Sequence, residues 1–347
     1  MLQHDASGEI FVPLFFYENC GDCGDGSTRG ILNNDLVFRS PGSQAATAIE
    51  EDGPLRATFR VERAFSLPRR LDRKTGWRSE DREMLDVTDF ISIEKGAPYV
   101  RVRSVVRNTI QDHRLRVLFP TGLETGKSFA GTPFAVVERE IGIPEETALW
   151  QERVNGEKAF TGFFGAQDGE SGLAVLAPHG LHEYEVMQTP DRSLALTLFR
   201  AFFKTVMKPC ERDGELQGGL EFEYWLYPFA GAFDPTLAAL LLADAQTGIR
   251  AHTAAQTSPP HSLLSLENNQ LVPTALKPAA DGQGGVARFW NPRSETATDH
   301  LALQGGVREC HICDLNEQPL QTLVPDGEGR IPLEVPAGGL LTVRFRW

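Results

Sequence analysis

Two pairs of cysteines have the spacing of metal ligands. Cys20 and Cys23 are separated by two residues, and so are Cys310 and Cys313. Four thiolates at such spacings are typical of structural zinc sites, and the glycine-rich surroundings of the first pair could wrap an ion. The alternative, which we favour, is that the five cysteines are small thiols that are buried or partly exposed. We therefore predict no metal site in this chain.

The histidines do not form a recognisable catalytic set. No His-x-Asp or His-x-x-x-His spacing occurs, and the neighbouring His4 and Asp5 lie at a terminus that is expected to fray. Metal-dependent hydrolysis needs clustered His and Asp side chains on converging loops. We therefore predict no catalytic residues within this chain.

Composition excludes several classes of partner. A chain of 347 residues is long enough for two or three domains. The 47 acidic residues exceed the 34 lysines and arginines, and the net charge of −13 would repel a phosphate backbone or an anionic lipid surface. The opening residues lack a cationic start followed by an apolar stretch, and the apolar run 238–243 is too short to span a bilayer. We predict a cytoplasmic protein with reduced thiols, without nucleic-acid or membrane partners.

Most of the chain has the pattern of strands. Apolar residues alternate with polar ones along 100–106, and Arg114 and Arg116 alternate with apolar residues along 114–119. This period of two predicts strands with one buried and one solvent-facing side. Many such runs at short spacing, separated by turns rich in glycine and proline, favour an all-β fold built from sandwiches.

A single segment, near 234–247, has a convincing helical pattern. Asp234 can cap the helix, Pro235 suits its first position, leucines recur at helical spacing, and Gly248 supplies a stop. A polar stretch rich in helix breakers follows. We predict a large β domain over 1–252, a linker over 253–262 and a small C-terminal β-sandwich over 263–347.

Several runs, in order, carry a resemblance to a known family. The run from Asn108 to Gly122, NTIQDHRLRVLFPTG, resembles a strand of glycoside hydrolase family 38, the retaining, zinc-dependent α-mannosidases. The loop GDCGD at 21–25 is similar to a bacterial "GD-x-GD" loop, and GLHEYEV at 180–186, followed by LTLFR at 196–200, also matches. The chain thus resembles the C-terminal β-half of that family.

The resemblance implies a fold and an absence. It implies a large supersandwich, related to mutarotase-like carbohydrate domains, followed by a small β-sandwich. In the family, the nucleophilic aspartate and the zinc ligands lie in an N-terminal barrel that precedes this region, so we expect zinc in that catalytic half and no cofactor here. It also places Cys310 and Cys313 on a strand, where residues three apart point to opposite faces and chelate poorly.

The matched motifs imply substrate-binding residues. Loops of the β-half close over the sugar site in this family, and charged hydrogen bonds to hydroxyls are strong. The candidates, by position in the motifs, are Asp22, Asp25, His182, Glu183, Tyr184 and Arg200. Structural roles compete with each: the aspartates could stabilise a turn, Arg200 could be an ion-pair partner, and strand alternation lets only one of Glu183 and Tyr184 face a cleft. We predict structural roles for His113 and Arg114.

The resulting prediction is the non-catalytic C-terminal part of an α-mannosidase-like glycoside hydrolase, which shapes a sugar site and is inactive alone. Its partners would be an α-mannoside, a catalytic barrel and, through the face exposed without the barrel, a second copy of itself. One alternative is a stand-alone carbohydrate-binding module, which needs an aromatic platform; the candidates are Trp77, Trp150, Trp225, Trp290 and Phe203. A second alternative is an aldose epimerase-like enzyme that pairs His179 or His182 with Glu221 or Glu223.

Overall fold

A computed structural model describes the chain except for residues 1, 5–7, 9, 42, 151–153, 206, 207, 209 and 249–261. The described residues divide by their contacts into two units. The first unit comprises Met1–Ala130 and Glu138–Phe233, and the second comprises Gly131–Val137 and Asp234–Trp347. The predicted linker, 253–262, lies outside the described residues except for residue 262, so the predicted domain boundaries stay a prediction.

Strands dominate both units. The strands before the helix are β1 (Leu2–Gln3), β2 (Ile10–Phe11), β3 (Phe16–Gly21), β4 (Phe38–Arg39), β5 (Ala45–Asp52), β6 (Arg56–Pro68), β7 (Leu71–Asp72), β8 (Trp77–Arg78), β9 (Arg82–Glu94), β10 (Val100–Asn108), β11 (His113–Phe119), β12 (Lys127–Thr132), β13 (Ala135–Glu140), β14 (Lys158–Ala159), β15 (Phe163–Gln167), β16 (Ser171–Leu176), β17 (Glu183–Val186), β18 (Leu194–Ala201) and β19 (Gly218–Ala230). They are followed by α1 (Pro235–Thr247), β20 (Leu264–Leu266), β21 (Val272–Pro278), β22 (Gly285–Trp290), β23 (Ala297–Leu303), β24 (Glu309–Cys313), β25 (Pro319–Thr322), β26 (Ile331–Val335) and β27 (Leu340–Arg346). The all-β prediction is confirmed.

The first unit is built on two antiparallel sheets. Nine strands pair in the order β13-β12-β15-β16-β19-β10-β9-β6-β5, and six pair in the order β14-β17-β18-β11-β3-β4. Side chains from both sheets share one apolar core, for example Leu85 and Val102 from the nine-stranded sheet with Leu115 and Val117 from the six-stranded sheet. The relation to mutarotase-like domains stays a prediction.

The predicted alternation holds on β10 and fails on β11. Along β10, Val100 and Val102 are buried while Arg101 and Arg103 are partly exposed. On β11 every residue is buried, and Arg114 and Arg116 are only 1% and 4% exposed. The prediction of a solvent-facing side for β11 is therefore wrong, because Arg114 pairs with Glu157, from the segment before β14, and Arg116 pairs with Glu18 and Glu185 on other strands of the sheet.

The second unit contains the predicted helix. Helix α1 begins after Asp234, whose carboxylate accepts hydrogen bonds from the amides of Thr236 and Leu237, and it ends at Gly248. The unit also has a three-stranded sheet, β20-β23-β26, and a five-stranded sheet, β21-β22-β27-β24-β25, around its own apolar core. No helix among the described residues has the length and apolar character needed to cross a bilayer.

Candidate functional site

A cleft of about 510 Å³ lies in the first unit, where β17 begins and β18 ends. Its polar lining residues include Ser27, His182, Glu183, Thr197, Arg200 and Glu221. Its apolar lining residues include Leu198, Phe199, Phe202, Leu216, Leu220 and Phe222. A lining that combines polar and apolar groups suits a ligand that has both hydroxyl groups and C–H surface.

Asp22 organises the loop that forms one rim of the cleft. The residue is 1% exposed. Its Oδ1 accepts hydrogen bonds from the amides of Gly24 and Gly30, both at 2.9 Å, and its Oδ2 accepts one from Arg200 Nε at 2.7 Å. A Cβ at Gly24 would lie 2.0 Å from the carbonyl oxygen of Thr28, so this turn needs glycine. We call the segment 21–30 the Gly loop. The hydrogen bonds of Asp22 fix its conformation and join it to Arg200.

Asp25 stabilises the tip of the Gly loop. Its Oδ1 accepts hydrogen bonds from the amides of Ser27 at 2.8 Å and Thr28 at 2.9 Å. The hydrogen bond from Thr28 and, to a smaller extent, the one from Ser27 lower the pKa of the Asp25 carboxyl. The carbonyl oxygen of Asp25 accepts a hydrogen bond from Arg200 Nη2 at 2.8 Å. Arg200 therefore joins β18 to the Gly loop at two points.

Glu183 and Tyr184 lie on opposite sides of β17. Glu183 lines the cleft, and its Oε1 accepts a hydrogen bond from Thr197 Oγ1 at 2.7 Å. Tyr184 is fully buried in the core and stacks on Phe164 with ring centroids 4.5 Å apart. Strand alternation predicted that only one of the two would face a given cleft, and that residue is Glu183.

His182 completes the set of predicted residues at the cleft. It is exposed, and its Nδ1 lies 3.1 Å from the carbonyl oxygen of Gly180. Because a carbonyl oxygen only accepts, Nδ1 carries the proton and Nε2 is the acceptor of the neutral ring. The structure thus brings His182, Glu183 and Arg200 to one cleft, with Asp22 and Asp25 behind its rim and Tyr184 in the core.

Sequence reasoning missed a buried ionic layer on the outer face of the six-stranded sheet. Arg116 Nε donates to Glu18 Oε1 at 3.1 Å, and Arg116 also pairs with Glu185. Arg114 pairs with Glu157, which Arg29 also contacts at 2.8 Å. We call these six residues the ionic face. The alternation of Arg114 and Arg116 was its sequence signal, but the loop residues Arg29 and Glu157 carried none.

The structure supports a structural role for His113. The ring is fully buried, with its Nδ1 2.7 Å from Asn19 Nδ2 and its Nε2 3.0 Å from Asn108 Oδ1. Burial, followed by the charge of Arg78, lowers the pKa of His113 to about 3. The neutral ring therefore accepts at Nδ1, donates at Nε2 and ties β11 to β3 and β10.

The residues that the structure describes place no set of metal ligands around the cysteines. Cys20, Cys310 and Cys313 are buried, and Arg29 Nη2 donates to Cys20 Sγ at 3.3 Å. Burial raises the pKa of Cys310 to about 12, which keeps it a thiol. In the described part of the chain, no group of three or more His, Cys, Asp or Glu side chains could hold a metal ion.

Comparison with known proteins identifies the family. Residues 34–206 match the sequence model of the glycosyl hydrolases family 38 C-terminal domain. The chain is 28% identical to a Halalkalibacterium halodurans protein named "Putative mannosylglycerate hydrolase", over 98% of this chain and 39% of that protein. The crystal structure of an α-mannosidase from Enterococcus faecalis has the same fold, with a TM-score of 0.87 at 22% identity over 99% of this chain and 40% of the other.

A second Enterococcus faecalis structure, of a protein in glycosyl hydrolase family 38, gives a TM-score of 0.86 at 22% identity. It too is matched over 99% of this chain and only 41% of its own length. The chain therefore spans about two-fifths of the length of these relatives. Through residues 34–206, the chain belongs to the C-terminal domain family of the family 38 glycosyl hydrolases.

Proposed function

We propose that this chain is the non-catalytic C-terminal part of an α-mannosidase-like glycoside hydrolase, and that its cleft contacts the sugar. The observation that carries the proposal is the mixed lining of the cleft, in which carboxylate, guanidinium and imidazole groups occur together with leucine and phenylalanine side chains. Sugars present hydroxyl groups at their rim and C–H groups on their faces, so both kinds of lining group would be used.

The candidate residues would act in different ways. Glu183 accepts and Arg200 donates hydrogen bonds at the cleft, so each can make charge-assisted bonds to a hydroxyl group. His182 can accept at Nε2. Asp22 and Asp25 would act indirectly, by holding the Gly loop beside the sugar, and Tyr184 by packing behind β17.

The reaction would take place on a catalytic barrel, as another part of the polypeptide or a partner chain. Retaining cleavage of an α-mannoside needs two carboxyl groups about 5 Å apart, one as the nucleophile and one as the acid and base. The matches support this arrangement, since the relatives are much longer and the matched family is a C-terminal domain. The described residues do not fit a zinc site, so zinc would be held by the barrel.

Two further parts of the proposal concern association and location. Ile49, Phe59 and Ile93 are 65%, 46% and 55% exposed, and Phe59 lies opposite Ile49 across β5 and β6. This apolar surface beside the edge strand β5 supports self-association into a dimer. The absence of a disulfide-type cysteine pattern supports a cytoplasmic location.

The alternative functions receive less support from the side chains. For a binding module, Trp225 is 5% exposed and stacked against Tyr99, and the ring of Phe203 is covered by the guanidinium of Arg73 at 3.5 Å. Trp77 and Trp150 are exposed, and neither lines the cleft. Trp290 is 9% exposed.

For an epimerase, His179, His182 and Glu221 do line the cleft, which keeps this alternative testable by polarimetry. Glu223 lies elsewhere, bonded to Arg101 at 2.7 Å and to Trp225 Nε1 at 2.9 Å.

A hydrolysis assay tests the non-catalytic role. The purified chain, incubated with zinc and an aryl α-mannoside, is expected to release no phenol above the uncatalysed rate. The reason is that the described residues include no cluster of three or more His, Cys, Asp or Glu side chains that could hold zinc. Polarimetry of the same chain with glucose or galactose tests the epimerase alternative, and mutarotation should also proceed at its uncatalysed rate. Robust hydrolysis would contradict the proposal, and accelerated mutarotation would favour the epimerase.

A further inference from the structure

Two buried carboxyl groups share one nitrogen of an arginine behind the cleft. Glu215 ends a short 3-10 turn, Arg212–Glu215, and its side chain is 2% exposed. Arg73 Nη2 lies 3.2 Å from Glu215 Oε1 and 2.8 and 3.0 Å from the two carboxylate oxygens of Asp112. The amide of Asp112 donates to Glu215 Oε2 at 2.8 Å. Glu215 and Asp112 are thus neighbours that compete for one cation.

This pair is connected to both rims of the cleft. Leu216, which follows Glu215 directly, lines the cleft. Asn108 Nδ2 donates to the carbonyl oxygens of Glu215 and Leu216, both at 3.1 Å. On the other side, the amide of Asp22 donates to the carbonyl oxygen of Asp112 at 2.9 Å. Since Asp22 holds the Gly loop and Arg200, a shift of Asp112 reaches both.

The local charges disfavour ionised Glu215. Asp112 and Asp22 add two carboxylates, while Arg73, whose side chain is 42% exposed, supplies the guanidinium group that contacts Glu215. Arg200 pairs with Asp22. Burial, together with the negative charges of Asp112 and Asp22, raises the pKa of Glu215 to about 7, although the amide of Asp112 and Arg73 oppose this. Burial also raises the pKa of Asp112.

We propose that Glu215 is a positioning residue of the cleft that works through its proton. Protonated Glu215 lies beside Asp112 without charge repulsion. Leu216 therefore keeps the position described above, and so does the Gly loop, which is linked to Glu215 through Asp112 and Asp22. Loss of the proton places a second negative charge on the shared arginine and loosens both rims. The proposal rests on the proposed function only for the statement that these rims contact a sugar.

The sign of the pH dependence follows from proton linkage. In the closed arrangement Glu215 holds its proton up to about pH 7, whereas an opened, solvated Glu215 loses it near its ordinary value of 4.5. The closed form binds the additional proton between these values, so its stability is complete at low pH and is lost as the pH rises toward 7. The opening constant should rise by up to about tenfold per pH unit from pH 5 to 7 and level off above 7.

Hydrogen exchange of the sugar-free chain measures this opening. Peptides covering 19–30 and 109–118 report on the amides of Asp22, Gly24, Gly30 and Asp112, all bonded as described. After correction for intrinsic rates, their protection should fall from pH 5 to 7 in the unmodified chain and vary much less in Glu215→Gln. The matched control is Glu170→Gln, an exposed residue in the turn between β15 and β16, which should behave like the unmodified chain.

A second measurement covers the case in which Glu215→Gln does not fold. The side-chain carbon shift of Glu215 in the unmodified chain should titrate with a midpoint near 7. A midpoint near 4.5, or a fall in protection that persists unchanged in Glu215→Gln, would overturn the inference. Neither readout involves a sugar, so failure of the proposed function would leave both results standing.

Discussion

Replacement of Arg116 by methionine is expected to lower the free energy of unfolding of the first unit by about 3 to 5 kcal/mol, because the buried carboxylate of Glu18 then keeps only the half-exposed Arg39 as a charged partner. Arg116 pairs with Glu18 and Glu185, and Glu18 is 3% exposed. Burial alone would raise the pKa of Glu18, but Arg116, aided by Arg39, holds it below the usual value. Urea denaturation followed by circular dichroism measures the change.

The matched control for Arg116→Met is Arg56→Met. Arg56 contacts Glu51 at 2.6 Å, but the two side chains are 47% and 39% exposed, so this replacement should cost less than about 1 kcal/mol. Adding Glu18→Gln to Arg116→Met should recover part of the loss, since the buried charge is then removed. Equal stability of Arg116→Met and Arg56→Met would show that the ionic face does not stabilise the fold.

Replacement of Arg200 by alanine is expected to lower the free energy of unfolding by about 3 kcal/mol and to release the Gly loop. The reason is that Asp22, 1% exposed, would keep two amide donors and lose its charged one. The bond to the carbonyl oxygen of Asp25 would also be lost. Urea denaturation measures the stability, and hydrogen exchange of the amides in 21–30 measures the release.

Lys204→Ala is the control for Arg200→Ala, because it removes an exposed cation close to the same loop. It should change the free energy of unfolding by less than about 0.5 kcal/mol and leave the exchange of 21–30 as it is. If Arg200→Ala left both quantities unchanged, Arg200 would not anchor the loop. Its role at the cleft would then be limited to direct contact with a ligand.

The parts of the fold that were predictable depend on neighbours in the chain. Helix α1 was predictable since its cap, its first proline and its terminal glycine are all local, and the carboxylate of Asp234 does cap the first turn. The opposite orientations of Glu183 and Tyr184 follow from strand geometry alone. A period of two tells which side chains share a face, and these elements needed nothing more.

The parts that were not predictable depend on distant segments. The same period placed Arg114 and Arg116 together but could not tell that Glu157 would pair with Arg114, because a loop's position over a sheet is set by tertiary packing. The contact of Arg200 with Asp22 joins residues 178 positions apart. Glu215 had no sequence signal, since only the fold brings Asp112 and Arg73 to it.

A nuclear magnetic resonance titration of the chain with methyl α-mannoside, with methyl α-galactoside as the control sugar, tests whether the cleft binds a mannoside. With the mannoside we expect weak, saturable shifts of the amide signals of Ser27, Glu183 and Arg200, which are reduced in Glu183→Gln and unchanged in Glu170→Gln. Absence of any shift at these amides, or the same shifts with both sugars, would contradict the claim that this cleft forms part of a mannoside site.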